Sequence, residues 1–142
     1  MKILPLLFAA SMLLASNQAL SQQRQMMNLR LTVNGSPLQA VLFDSAAARD
    51  FLKLLPLEVM LEDYASAEKI AYLPRKLDTA AAPAGFEPSP GDITYYAPWG
   101  NLAIFYRDQP FARGLVSLGR IESGVEALKV GGKLKVRIEA VN

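Results

Sequence analysis

Runs of strand length, apolar at every second residue and cut off by turn signals, recur along this chain and limit what it can fold into. Residues 28–33 put Leu29, Leu31 and Val33 on one face and Arg30 and Thr32 on the other. Asn34-Gly35 follows, the strongest short hairpin signal, because a type I′ turn needs positive φ at both central positions. Residues 38–43 read as the returning strand, apolar on both faces and therefore covered on both sides. Leu57, Val59 and Leu61 then alternate with Glu58, Met60 and Glu62. Further strands are expected over 69–73, 93–97, 102–106 and 115–121, with Pro98-Trp99-Gly100-Asn101 as the turn between the second and third of these. The last strand spans 133–140, with Leu134, Val136 and Ile138 facing in and Lys135, Arg137 and Glu139 facing out. A period of two residues is the signature of a strand, not of a helix.

One segment has the helical period. Asp44 or Ser45 caps it, Ala47, Ala48, Phe51, Leu52 and Leu55 form its apolar stripe, and Pro56 stops it. Residues 123–128 supply a helical turn or two. A mainly β chain of about eight short strands with one or two helices predicts a compact antiparallel barrel, with a β-sandwich as the runner-up. The stretch 74–91 breaks the spacing: it has four prolines, three consecutive alanines and no strand or helix period. It reads either as an ordered flap pinned by Phe86 or as a decorated surface loop. Ala97-Pro98, a proline before an aromatic in a tight turn, is a place to look for a cis bond.

The beginning of the chain is of another kind. Met1-Lys2 is positive, residues 3–15 are almost wholly apolar, and Ala19-Leu20-Ser21 is a small-residue site, the order of an export signal. Residues 1–21 are read as the signal peptide and residues 22–142 as one domain, exported to the periplasm or secreted. The alternative is a buried N-terminal helix. A spanning anchor needs about 20 apolar residues, more than this run contains, and no cysteine is present to carry a lipid. No stable membrane anchor is expected, and oligomeric state is left open. Without cysteine the exported chain must be held together by its core alone.

Two absences restrict the chemistry further. With no cysteine and no histidine, thiolate nucleophiles, zinc–thiolate sites and Ser–His or Cys–His pairs are excluded. No metal or cofactor is expected. The formal charge of +2 is no basic field, so no nucleic-acid partner is expected either. Ser66-Ala67-Glu68-Lys69 matches the serine–lysine pattern of penicillin-recognising enzymes, but it precedes a strand rather than opening a helix, and the partner motifs are missing. Glu62-Asp63 point to opposite faces, while Glu58 and Glu62 share a wet one. Gly131-Gly132-Lys133 lacks the glycine spacing of a phosphate loop. Lys133, Lys135 and Arg137 read as a solvated row that guards an edge. The strongest lead is aromatic: Tyr95, Tyr96, Trp99, Phe105 and Tyr106 lie within a dozen residues. Alternation sends one of Tyr95 and Tyr96 inward and the other to a groove, and such rings suit peptide or proline recognition. The plainer alternative is that Trp99 closes the barrel end. Arg75 and Arg113 sit in loops able to reach the same rim.

The stretches Phe43-Asp44-Ser45, Leu54-Leu55-Pro56-Leu57, Leu61-Glu62-Asp63-Tyr64 and Glu68-Lys69-Ile70-Ala71-Tyr72-Leu73-Pro74 resemble bacterial cyclophilin-like proteins. So do the run Gly91-Asp92-Ile93-Thr94-Tyr95-Tyr96-Ala97-Pro98-Trp99-Gly100 with its continuation to Tyr106, and Leu115-Val116-Ser117-Leu118-Gly119-Arg120-Ile121. The resemblance covers nearly all of residues 22–142 and implies a closed eight-stranded antiparallel β-barrel with helices at its ends. The prolyl-isomerase pocket of true cyclophilins does not carry over: its histidine is missing, no arginine stands in a matching pattern, and Trp99 is in another context. The expectation is a non-catalytic binding module for a peptide or small molecule, with Glu68, Arg75, Asp92, Tyr96 and Trp99 as rim residues. The alternative is a weak peptidyl-prolyl isomerase using Arg75 or Arg113.

Overall fold

A computed structural model describes residues 24–142; the expected export segment and its cut before Gln22 lie outside them. In chain order the elements are β1 (Gln25–Val33), β2 (Ser36–Phe43), α1 (Ala46–Leu52), β3 (Leu57–Tyr64), β4 (Glu68–Tyr72), β5 (Gly85–Phe86), β6 (Asp92–Tyr96), β7 (Asn101–Phe105), β8 (Ala112–Arg113), β9 (Leu115–Ile121), a 3-10 helix (Val125–Lys129) and β10 (Leu134–Val141). Eight strands close a barrel in the order β1-β10-β3-β4-β7-β6-β9-β2, all pairs antiparallel, with β2 returning to β1. Closure excludes the sandwich. β5 and β8 form a separate two-stranded ribbon.

Alternation fills the barrel. Leu29, Leu31 and Val33 of β1, Leu134, Val136 and Ile138 of β10, and Leu102 and Ile104 of β7 are all buried in one core. Tyr95 is the inward tyrosine of its pair, 1% exposed, while Tyr96 turns outward. Double cover of β2 holds over Ala40, Val41 and Leu42 but not at Gln39, which is exposed. The basic row of β10 guards no edge, because a closed barrel has none. Instead Arg137 meets Glu58 and Lys133 meets Glu62, each at 3.3 Å, across the β10–β3 seam. Exposed pairs of this kind contribute at most about 1 kcal/mol each.

Ser45 caps α1, its Oγ accepting from the Ala48 amide at 3.1 Å. The helix is shorter than its stripe predicts: it ends at Leu52, and only Ala47, Ala48 and Phe51 are fully buried. Leu55-Pro56 is the cis peptide bond among the described residues, and Ala97-Pro98 is trans.

The stretch 74–91 is an ordered flap. Arg75 grips Asp50 of α1 with both terminal nitrogens at 2.9 Å, and Asp50 also accepts from the Asp78 amide at 2.8 Å. Leu77 is buried, and its amide donates to the hydroxyl of Tyr95 at 3.2 Å, which satisfies the polar tip of a core tyrosine. Further along, Phe86 is half-buried and β5 pairs with β8.

Between β2 and β9 the barrel is joined by three residue pairs in register, as few as between β3 and β4. There Gly119 lies so close to β2 that a Cβ would stand 2.1 Å from the carbonyl oxygen of Val41. Gly119→Ala must therefore push the two strands apart. We expect destabilisation at the upper end of the about 1–3 kcal/mol usual for overpacking, read as a lower unfolding midpoint in urea; an unchanged midpoint would show that the seam yields freely.

Candidate functional site

The outer wall of β4, β7, β6 and β9 is apolar as well as the inner one. Ala103, Phe105 and Leu115 form a second buried cluster there, against which Ile70, Phe86, Tyr96 and Ala112 pack. The β5–β8 ribbon covers part of this wall. Where the cover stops, a cleft of about 210 Å³ opens between the ribbon and the β3–β4 hairpin.

Each wall has a local cause. Tyr64 pairs with Glu68, and Glu68 with Phe105, so these three form a row across β3, β4 and β7. The turn that makes this row is tight, with Ala65 and Ser66 both at positive φ and the Ala67 amide on the Tyr64 carbonyl at 3.2 Å. Tyr96 pairs with Leu115 on the neighbouring strands. After Tyr96 the chain turns sharply, the amides of Trp99 and Gly100 both returning to its carbonyl. The turn is fixed from behind by Gly114: its carbonyl accepts from Ala97 at 2.9 Å, and its amide donates to Ala84 of the flap at 2.8 Å. Gly114 has φ of +86°, and a Cβ there would lie 2.8 Å from the ring of Pro98, so only glycine allows the turn to pack this closely.

Trp99 stands edge-to-face with two tyrosines, its ring centre 5.5 Å from Tyr64 and 5.3 Å from Tyr96, with interplanar angles of 85° and 83°. It is 49% exposed and Tyr64 is 43% exposed, so neither plugs the barrel. Grouped exposed rings of this kind mark recognition surfaces rather than cores. The one ionisable acid on the wall is Glu68. It is half-buried, and loss of water pushes its carboxyl upward from the ordinary range. Among the described residues it has no hydrogen-bond or ion-pair partner.

Of the five residues expected at the rim, Glu68, Tyr96 and Trp99 share this cleft. Arg75 and Asp92 do not line it. Arg75 is committed to Asp50 as described. Asp92 is 5% exposed, and its carboxylate accepts from the Ser89 amide at 2.7 Å and from Arg120 at 3.3 Å. Burial pushes its carboxyl upward, against the pull of Ser89 and Arg120. Arg113 is exposed on β8, on the opposite side of that strand from the cleft-lining Ala112.

Tyr64 belongs to the site although sequence reasoning passed it over. Its signal is the outward register 58, 60, 62, 64 of β3. The turn behind it contains neither glycine nor asparagine, so the hairpin that brings Tyr64 to Glu68 is hard to foresee. Lys69 is not a catalytic partner for Ser66. It is fully buried and donates to the carbonyls of Val130 at 2.8 Å and Gly132 at 3.2 Å, with Asp63 at 3.2 Å. A wider hollow of about 670 Å³ lies over β1, β2 and the C-terminus, but its walls contain no aromatic ring. There Arg30 is already paired with Glu139. Among the described residues no three acidic groups converge as a metal site would require, and no helix is long and apolar enough to cross a membrane.

Comparison with known proteins adds the following. The model of the "Cyclophilin-like family" matches residues 31–139. The solution structure of a hypothetical protein from Archaeoglobus fulgidus superposes with a TM-score of 0.57 at 18% identity, covering 85% of this chain and 98% of the archaeal one. That likeness is one of fold. None of the curated proteins matches the sequence significantly.

The anchor behind the cleft has a definite pH response. Hydrogen bonds from Arg75 and from the Asp78 amide hold the Asp50 carboxyl down to about 2. A depressed pKa stabilises the folded form fully above the ordinary aspartate value of about 3.9, and that contribution fades as pH falls through the lowered value. Amide-exchange protection at Asp78 should therefore persist at about pH 4, weaken below it, and vanish under about pH 2. Asp50→Asn should remove it at neutral pH while β1 amides stay protected. Unchanged protection in that variant would show that the ribbon alone holds the flap.

Proposed function

Because this chain belongs to the cyclophilin-like family, we propose that it is a binding module whose outer-wall cleft takes a peptide side chain or small ligand without transforming it. The observation that carries this reading is the convergence of Tyr64, Tyr96 and Trp99 on one open cleft. Its volume, about 210 Å³, is below the roughly 300–1,000 Å³ of sites for drug-sized ligands. It suits a head group or a single side chain.

Catalysis has less to support it. X-Pro isomerisation would need a donor aimed at the proline amide. Arg75 uses its fork on Asp50, and Arg113 faces away. Fold alone does not supply an activity. We propose in addition that residues 1–21 direct export and are removed, so that the module works in the periplasm or outside the cell. The order of charge, apolar run and small residues supports this. Mass spectrometry of the exported protein should then find Gln22 as its first residue.

The binding reading is tested by NMR titration with a panel of short X-Pro peptides and small ligands. Shifts should centre on Trp99, Tyr96 and Tyr64. Trp99→Ala should weaken binding by about tenfold or more, about 1.4 kcal/mol, with an unchanged unfolding midpoint because the ring is outside the core. Acceleration of peptide cis–trans exchange at catalytic protein concentration would replace the module with an isomerase. Loss of folding in Trp99→Ala would return that ring to a structural role.

A further inference from the structure

We propose that the cleft takes a cation, an alkylated ammonium group seated against the rings of Tyr64, Tyr96 and Trp99 with Glu68 as its counter-charge. The inference rests on the binding reading above and names the chemistry of its ligand.

The argument begins with charge. Among the described residues the other acids that are not exposed are each matched: Asp50 by Arg75, Asp92 by Arg120 and Glu139 by Arg30. Glu68 is the exception, half-buried and without a partner among the described residues. No lysine or arginine lines the cleft to neutralise it. A carboxylate withdrawn from water and left unpaired is costly, and an arriving positive charge relieves that cost.

The rings decide which cation. Ring faces are negative and ring edges positive; Tyr64, Tyr96 and Trp99 all line the cleft and meet at nearly right angles, so they are not flat stacks that would cover one another's faces. Calcium or magnesium takes six or more oxygen ligands, and the wall offers a single carboxylate. An alkylated ammonium is weakly hydrated and apolar at its surface, and aromatic walls recognise it through cation–π attraction. The volume of the cleft admits such a head and little more. The head can belong to a free small molecule or to a modified side chain of a peptide; both present the same chemistry.

Trp99 is the single tryptophan of the chain, so its fluorescence reports directly from the cleft. The full chain is titrated, at matched ionic strength, with choline and with 3,3-dimethylbutan-1-ol, the uncharged isostere in which carbon replaces nitrogen. Two peptides are added, one carrying trimethyllysine and one carrying its neutral counterpart in which carbon replaces the quaternary nitrogen. Saturable changes are expected with choline and trimethyllysine, with the uncharged partners weaker by about tenfold or more. Glu68→Gln should cut that preference back to the part the rings supply and leave the isostere unaffected. Tyr64→Leu, at an exposed position, is the second variant should the first fail to fold, and it should weaken the cations more than the isostere. Both sources support the proposal: a peptide preferred over choline by about tenfold makes the head part of a side chain, and equal affinities make it a free cation. Equal affinity for charged and uncharged probes overturns the cation while leaving a binding module. Silence toward all four probes also overturns it; the module itself falls only if the X-Pro peptides are silent too.

Discussion

Closure of the sheet is the constraint on which the rest of this structure depends. An eight-stranded barrel has an interior only wide enough for its own side chains. Here Leu31, Leu42, Leu102, Ile104, Leu118 and Val136 are fully buried within it. The cleft lies on the other side of the sheet. The outer wall of β4, β7, β6 and β9 is apolar too, and it needs a cover of its own. The β5–β8 ribbon and the flap supply one and leave part of the wall open. Cleft and core are thus the two sides of the same strands.

Ion pairs organise what closure leaves free. Lys69, buried at the start of β4, ties the segment before β10 to that strand through Val130 and Gly132. Its partner Asp63 is held below the usual carboxylate range first by the Tyr106 hydroxyl and then by Lys69 itself. Burial, and then Asp63, pushes the Tyr106 phenol upward. Both Lys69 and the Tyr106 hydroxyl meet the same oxygen of Asp63, Oδ1. The Asp50–Arg75 pair does the corresponding work for the flap. Its value is geometric: it fixes where the chain leaves β4, and with Gly114 it decides how far the cleft stays uncovered.

Much of the barrel is legible in the sequence because period-two burial is a local signal. Leu29, Leu31 and Val33, or Leu134, Val136 and Ile138, declare their face without reference to anything distant. The opposed directions of Tyr95 and Tyr96 follow from the same rule. What is not legible depends on contacts between remote segments. Arg75 is exposed in sequence terms, and only the fold shows that Asp50 occupies it. Asp92 looks like a free acid until Ser89 and Arg120 close on it. The ribbon of β5 and β8 has two residues per strand, too few for any periodicity. The hairpin at Ala65-Ser66 lacks the residues that usually announce a left-handed turn, yet it sets Tyr64 opposite Glu68. Trp99 is visible as a candidate from composition alone, but its two tyrosine neighbours come from different hairpins.

Tyr95 and Tyr96 are adjacent in the chain and belong to different environments, one to the core and one to the cleft. That separation uncouples two kinds of divergence. Positions facing inward must change together, because each shares a packed interior with the others. Positions facing the cleft border solvent, so each can change almost alone. The fold can therefore be inherited through one set of residues while the ligand is rewritten through the other. Among distant members of this family, a shared barrel is accordingly no guide to a shared ligand, and the residues to compare are those on the outward register of β3, β4 and β6.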